Sequence, residues 1–395
     1  MVNLPPTDTG WLFCASTHLR DRPVQELSKL PNHEIPTEGK AEIESERRPE
    51  IDAAKGVLIL LVVVGHDRTI CSLLPDLWRL LYTFHVAGFF YLTFLLPTPS
   101  WSLRVASDRF VRCFWPYLVF VALSSIALRF GPVSIDDAAS GVWELLWKTT
   151  IGSAAFVKRV SGFQLYWFLP AFFSWTMLRM LYQGSERRGR AAILATLFAL
   201  HPLIGALPRP AGIWQPWGIL TVAYLFPLGW IAGAIAPKAL IRSAPLGIFA
   251  TALVVVTVLG VDGVVNVGRL ELYGFDDPPR MLFFDLLSLV LFWAVLRVSA
   301  ALSAGRLVPW IGRHSLIIYL SHSLILQTSH RLLPLSANAD SKLAPLWIGT
   351  VSVLAAVLVP AAFGEWLRHR SRLRPWLFPR GAGELREAVA RGTKV

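Results

Sequence analysis

Cysteine is scarce in this chain of 395 residues: Cys14, Cys71 and Cys113 are the full set, with no C-x-x-C pair among them. That excludes a zinc ribbon and a disulfide scaffold, leaving three small residues suited to apolar packing. Charge is scarce as well, since only 16% of residues are Asp, Glu, Lys or Arg. No HxxxH or HExxH spacing occurs, so no metal is expected. A glycine-rich nucleotide loop is also missing, which argues against a pump carrying its own ATPase.

Apolar residues take the place of what is missing. The chain is 54% hydrophobic with 16 tryptophans and a mean hydropathy of +0.50. Apolar stretches of about 18 to 22 residues recur, the length that crosses roughly 30 Å of hydrocarbon. The expected fold is all-α, a polytopic membrane bundle of about ten transmembrane helices. They are placed near residues 55–74, 79–97, 110–130, 165–183, 191–207, 213–236, 246–266, 281–303, 314–333 and 345–366. Residues 1–50 read as a disordered cytoplasmic extension, 51–366 as the membrane domain and 367–395 as a basic cytoplasmic tail. Between 131 and 164, tryptophans and mixed charge suit an amphipathic segment at the outer surface.

The net charge of +12 lies in short blocks between apolar spans, so orientation explains it and nucleic acid is not expected as a partner. Arg104, Arg109 and Arg112, then Arg187, Arg188 and Arg190, then Lys238 and Arg242, then Arg306 and Arg313, then the Arg-rich tail fall on alternate connections. Those connections are more basic than the intervening ones, which places both termini in the cytoplasm of a multi-pass plasma (inner) membrane protein.

Ionisable residues inside such helices are costly and point to function. In "IDAAKGVLILLVVVGHDRTI", Asp52, Lys55 and His66 share one helix face, with His66 about 16 Å beyond Lys55 and near mid-membrane. The next helix, "RLLYTFHVAGFFYLTFLLP", brings His85 to a similar depth, and Asp67 is adjacent to the first histidine. Imidazoles there suit proton transfer. Arg109 and Arg112 in "SDRFVRCFWPYLVF" are one turn apart and, with Lys55, suit a phosphate-bearing ligand at the inner face. Further polar groups in apolar helices are Tyr166 and Trp167 in "QLYWFLPAFF", and Ser315, Tyr319 and His322 in "IGRHSLIIYLSHSLIL", the last three at i, i+4, i+7. His201 and Asp285 are weaker candidates for an outer vestibule.

These segments, in this order, resemble acyltransferase family 3, and within it the group similar to fucose 4-O-acetylases. The resemblance rests on "IDAAKGVLILLVVVGH", "FHVAGFFYLTFLLP", the Arg-x-x-Arg of "DRFVRCFWPY", "YWFLPAFF" and "IGRHSLIIYLSH". Lys55 stands where the broad family usually has Arg, and Thr93 and Phe94 replace a Ser-Gly that often follows the second-helix phenylalanines. The resemblance implies an O-acetyltransferase that takes acetyl from cytoplasmic acetyl-coenzyme A and delivers it to a sugar hydroxyl on a cell-surface or exported polysaccharide. A lipid-linked sugar and the polysaccharide biosynthesis machinery are the implied partners. It also implies an essential His66 and a donor role for Arg109 and Arg112.

Combining both lines, His66 acts as base or nucleophile, with His85 beside it and Asp67 or Asp52 as candidate orienters. Lys55, Arg109 and Arg112 hold the donor, and Tyr166, Trp167, Ser315, Tyr319 and His322 face the acceptor. The competing expectations are a proton-coupled small-solute transporter, to which Pro116, Pro170, Pro202 and Pro227 lend themselves as helix breakers, and an assembly subunit of an export system.

Overall fold

The computed structural model describes residues 48–130, 142–161, 164–206, 215–235, 278–332, 343–370 and 372–392. The expected extension before residue 48 and the expected helix near 246–266 lie outside the described residues. Every regular element among the described residues is helical. In chain order the helices are α1 (Pro49–His66), α2 (Arg68–Leu73), α3 (Pro75–Thr93), α4 (Leu103–Phe130), α5 (Val142–Ile151), α6 (Ala154–Ser161), α7 (Phe168–Gly184) and α8 (Arg187–Ala206). They continue with α9 (Ile219–Ile235), α10 (Pro278–Leu302), α11 (Leu307–Arg313), α12 (Ser315–Leu332), α13 (Leu343–Arg368), α14 (Arg374–Leu377) and α15 (Ala382–Gly392).

Five stretches are long and apolar enough to cross a membrane by themselves: Leu103–Ile126, Arg187–Ala206, Pro216–Ala234, Met281–Leu302 and Ala344–Arg368. Those in α4, α8 and α13 turn leucines outward, among them Leu118, Leu123, Leu200, Leu203, Leu354 and Leu358. An outer ring of exposed leucine on long helices is what contact with hydrocarbon requires. Helix α1 is not among these stretches because Glu50, Asp52 and Lys55 put three charges into its 18 residues. It lies at the centre, packed on α3, α10, α11, α12 and α13.

The first span differs from expectation. Instead of running to residue 74, α1 ends at His66 and the chain turns at Asp67, whose carboxylate accepts from Ile70 N at 2.8 Å and starts α2. An Asp in extended conformation capping the next turn is a strong local stop signal. His66 is therefore the last residue of a helix rather than the middle of one.

Two close approaches fix the other end of α1. A Cβ on Gly56 would meet the Val308 carbonyl, and one on Gly312 would meet the Asp52 carbonyl, so α11 lies backbone to backbone on α1. Only glycine permits that separation. The face of the bundle where α1 begins and α11 crosses it is called here the Lys55 face, and the opposite one the far face.

The described residues of the segment expected at the outer surface, from 142 to 161, fold as α5 and α6, with Trp143 and Trp147 exposed. Their turn, at Gly152 with φ +63°, presses on Pro170 in the first turn of α7. Within the expected basic tail, α14 and α15 pack against α4. Helices α4, α8 and α9 run on through Pro116, Pro202 and Pro227, so these prolines do not mark the broken helices a transporter would use.

Candidate functional site

Three helices deliver three imidazoles to one place. The His66 ring lies 5.0 Å from that of His322 and 6.3 Å from that of His85, edge to face in both cases. Each histidine uses Nδ1 in the same way. His66 Nδ1 donates to the Val62 carbonyl at 2.8 Å, His85 Nδ1 to that of Leu81, and His322 Nδ1 to those of Tyr319 and Ile318 at 2.8 and 3.1 Å. A carbonyl oxygen only accepts, so in each neutral ring Nδ1 carries the proton and Nε2 the lone pair.

Those lone pairs are uncommitted. His85 Nε2 and His322 Nε2 are buried and have no hydrogen-bond partner among the described residues, and His66 Nε2 makes no hydrogen bond among them either. An unpaired polar nitrogen in a protein interior is costly, which marks the place as one built for a guest. His85 and His322 are fully enclosed, whereas His66 and Tyr82 remain partly exposed. Tyr82 stands 5.6 Å from His66 and 4.9 Å from His85, and leads to Trp78, 5.1 Å further on and exposed at the far face. Among the described residues no group of three His, Cys, Asp or Glu is arranged to hold a metal ion.

Asp67 makes no hydrogen bond to His66 among the described residues. Beyond capping α2, its fully buried carboxylate accepts from His330 Nε2 at 2.8 Å, tying α12 to the end of α1. The other candidate orienter, Asp52, pairs with Lys55 at 2.9 Å, both side chains buried beneath α11. The His66 ring is held instead by its own helix through Val62.

On the other side of the trio, Tyr319 lies 6.0 Å from His322 and its hydroxyl donates to the Leu165 carbonyl. Tyr166 OH donates to the Leu320 carbonyl at 2.9 Å and meets Ser124 Oγ at 2.8 Å. These tyrosines cross-link α12 to the 3-10 turn Gln164–Trp167 that precedes α7, and wall the site. Trp167 is buried close to Gly218, and Ser315 is buried at the Lys55 end of α12, two turns from His322.

Arg109 and Arg112 are both partly exposed on α4. Arg112 Nε donates to the carbonyl of Arg380 in the segment before α15. Lys55 and the arginine pair are thus held at the Lys55 face by different sets of partners. A third arginine escaped the sequence reading: Arg179 on α7 is buried, donates to the Leu96 carbonyl and lies 5.2 Å from the Phe94 ring. Its signal was present, a lone arginine in the apolar run "FFSWTMLRMLY".

His201 and Asp285 belong to a separate network. His201 Nε2 donates to Asp285 Oδ2 at 2.9 Å and Nδ1 to the Tyr224 carbonyl at 3.0 Å, while Tyr224 OH donates to Asp285 Oδ1 at 2.6 Å. With its side chains mutually satisfied, this group locks α8, α9 and α10 together.

Over residues 48–365 the chain matches the family model described as an acyltransferase domain. Nothing matches among curated proteins or among solved structures.

Proposed function

The chain belongs to acyltransferase family 3 and is a multi-pass membrane protein, and from that premise we propose that it moves an acyl group, acetyl in the first instance, from acyl-coenzyme A to a hydroxyl of a cell-surface or exported glycan. The observation that carries this reading is the free Nε2 of His66, a base with a fixed tautomer, partly exposed and flanked by two more imidazoles.

The Lys55 face is taken as cytoplasmic. There Lys55, Arg109 and the guanidinium of Arg112 suit the phosphates of the donor, and the neutral pantetheine arm carries the thioester toward His66. The acceptor enters beside Trp78 and Tyr82, and its neighbouring hydroxyls donate to His85 Nε2 and His322 Nε2. The reacting hydroxyl donates to His66 Nε2, which takes its proton as the oxygen attacks the thioester carbonyl. The carbon–sulfur bond then breaks, and the imidazolium returns the proton to the departing sulfur. An O-acyl glycan and coenzyme A thiol result, and His66 is regenerated. In a two-step route the same nitrogen carries the acyl group. The imidazolium would form at the carbonyl end of α1, where the helix dipole favours positive charge.

Support for this reading comes from the family, the fixed tautomer and the partial exposure of His66. Proton-coupled transport draws no support from the family. Mass spectrometry of surface glycans from cells with and without the protein tests the proposal: loss of O-acetyl groups is expected, and an unchanged acylation pattern would overturn it.

A further inference from the structure

The residues after 365 fall outside the family match, yet they are built into the Lys55 face. Asp108, Arg112 and Trp115 are spaced i, i+4, i+7 on α4 and so share one face. Each of them bonds the backbone of the C-terminal segment. Asp108 Oδ1 accepts from Ala382 N at 2.9 Å, Trp115 Nε1 donates to the Trp376 carbonyl at 2.7 Å, and Arg112 Nε donates to the Arg380 carbonyl. The segment is also shaped from within. Glu384 accepts from Arg380 N at 2.6 Å and from the Arg374 guanidinium, while buried Phe378 lies 6.0 Å from Phe120. Gly381 sits so near Asp108 that a Cβ there would strike the carboxylate.

The consequence falls on Arg112. With Nε tied to a carbonyl, the plane of its guanidinium is fixed, and its two Nη nitrogens make no hydrogen bond among the described residues. A partly exposed fork held by its inner nitrogen presents its outer edge to a phosphate in the bidentate geometry that recognises it best. Building on the donor site proposed above, we infer that residues 374–384 are a positioning element for the nucleotide end of the donor, aiming Arg112 at its phosphates. These residues touch neither the thioester nor the acceptor.

The test uses the full chain and two donors, acetyl-coenzyme A and acetyl-pantetheine, which lacks the nucleotide. Gly381→Ala pushes the segment off Asp108, and Trp115→Phe removes one docking bond while keeping a ring. Both variants are expected to raise KM for acetyl-coenzyme A about tenfold, the worth of one well-aimed charged hydrogen bond, with kcat little changed. Turnover of acetyl-pantetheine should be the same as in the parent protein. Unchanged KM for acetyl-coenzyme A in both variants would overturn the inference, as would equal losses with both donors. If the parent protein turns over acetyl-pantetheine without preferring acetyl-coenzyme A, the donor site itself is misassigned.

Discussion

His330 Nε2 donates to Asp67 Oδ2 at 2.8 Å, joining the far ends of α12 and α1 across 263 positions of sequence. The same carboxylate caps α2 through Ile70 N. Asp67 is thereby spent on holding the corner beneath which His66 sits.

Asp67→Ala should cost stability rather than chemistry. Loss of a cap alone costs about 1 kcal/mol, and leaving the half-buried His330 without its partner adds to that. A lower Tm with kcat per folded molecule within about threefold of the parent is expected by thermal unfolding and acyl transfer assays. A fall of a hundredfold or more in kcat at unchanged Tm would restore Asp67 as an orienter.

Gly312→Ala should disrupt the seat of Lys55, because the new methyl group would enter the space of the Asp52 carbonyl. Overpacking of this kind costs about 1–3 kcal/mol and displaces backbone. The expected outcome is a lowered Tm with weaker donor binding, read by unfolding and by titration with coenzyme A. Full donor affinity in the variant would mean that the Asp52–Lys55 pair plays no part in binding.

Asp285→Ala leaves His201 and Tyr224 without the acceptor they share. Breaking one partner out of a buried pair costs about 3–5 kcal/mol. Asp285→Asn, which keeps an acceptor oxygen, should recover much of that loss. Acyl transfer per folded molecule should be unchanged in Asp285→Asn, since the group locks α8, α9 and α10 and touches none of the three clustered histidines in any bond described.

Much of the site is legible in sequence because helical periodicity is local. The eleven-residue step from Lys55 to His66 places both on one face, and the i, i+4, i+7 run of Ser315, Tyr319 and His322 is confirmed as one helix. The convergence of His322 on His66 was not legible, since it depends on how α12 crosses α1. The end of α1 was missed although its signal is local: Asp67 is a good cap, outweighed in the reading by the apolar residues that follow. The docking of the C-terminal segment leaves a periodic trace only on α4, in the spacing of Asp108, Arg112 and Trp115, and none in the segment itself. Its bonds run from side chains of α4 to backbone groups, and a backbone carbonyl looks the same in every residue.

His85→Ala and His322→Ala test the two enclosed imidazoles. Each removes one acceptor proposed for neighbouring hydroxyls of the glycan, so KM for the acceptor should rise about tenfold while acetyl-coenzyme A binding is unaffected. Steady-state kinetics with varied acceptor would detect it. An unchanged acceptor KM in both variants would leave the unpaired Nε2 atoms without that role.

The decisive measurement is thiol release from acetyl-coenzyme A by the purified protein with a glycan acceptor, comparing the parent chain with His66→Ala at matched folding. The expected result is acceptor-dependent release in the parent and a rate lower by about a hundredfold to ten-thousandfold in the variant, the range that removal of a positioned base produces. Parental rates in a folded His66→Ala protein would contradict the account at its centre.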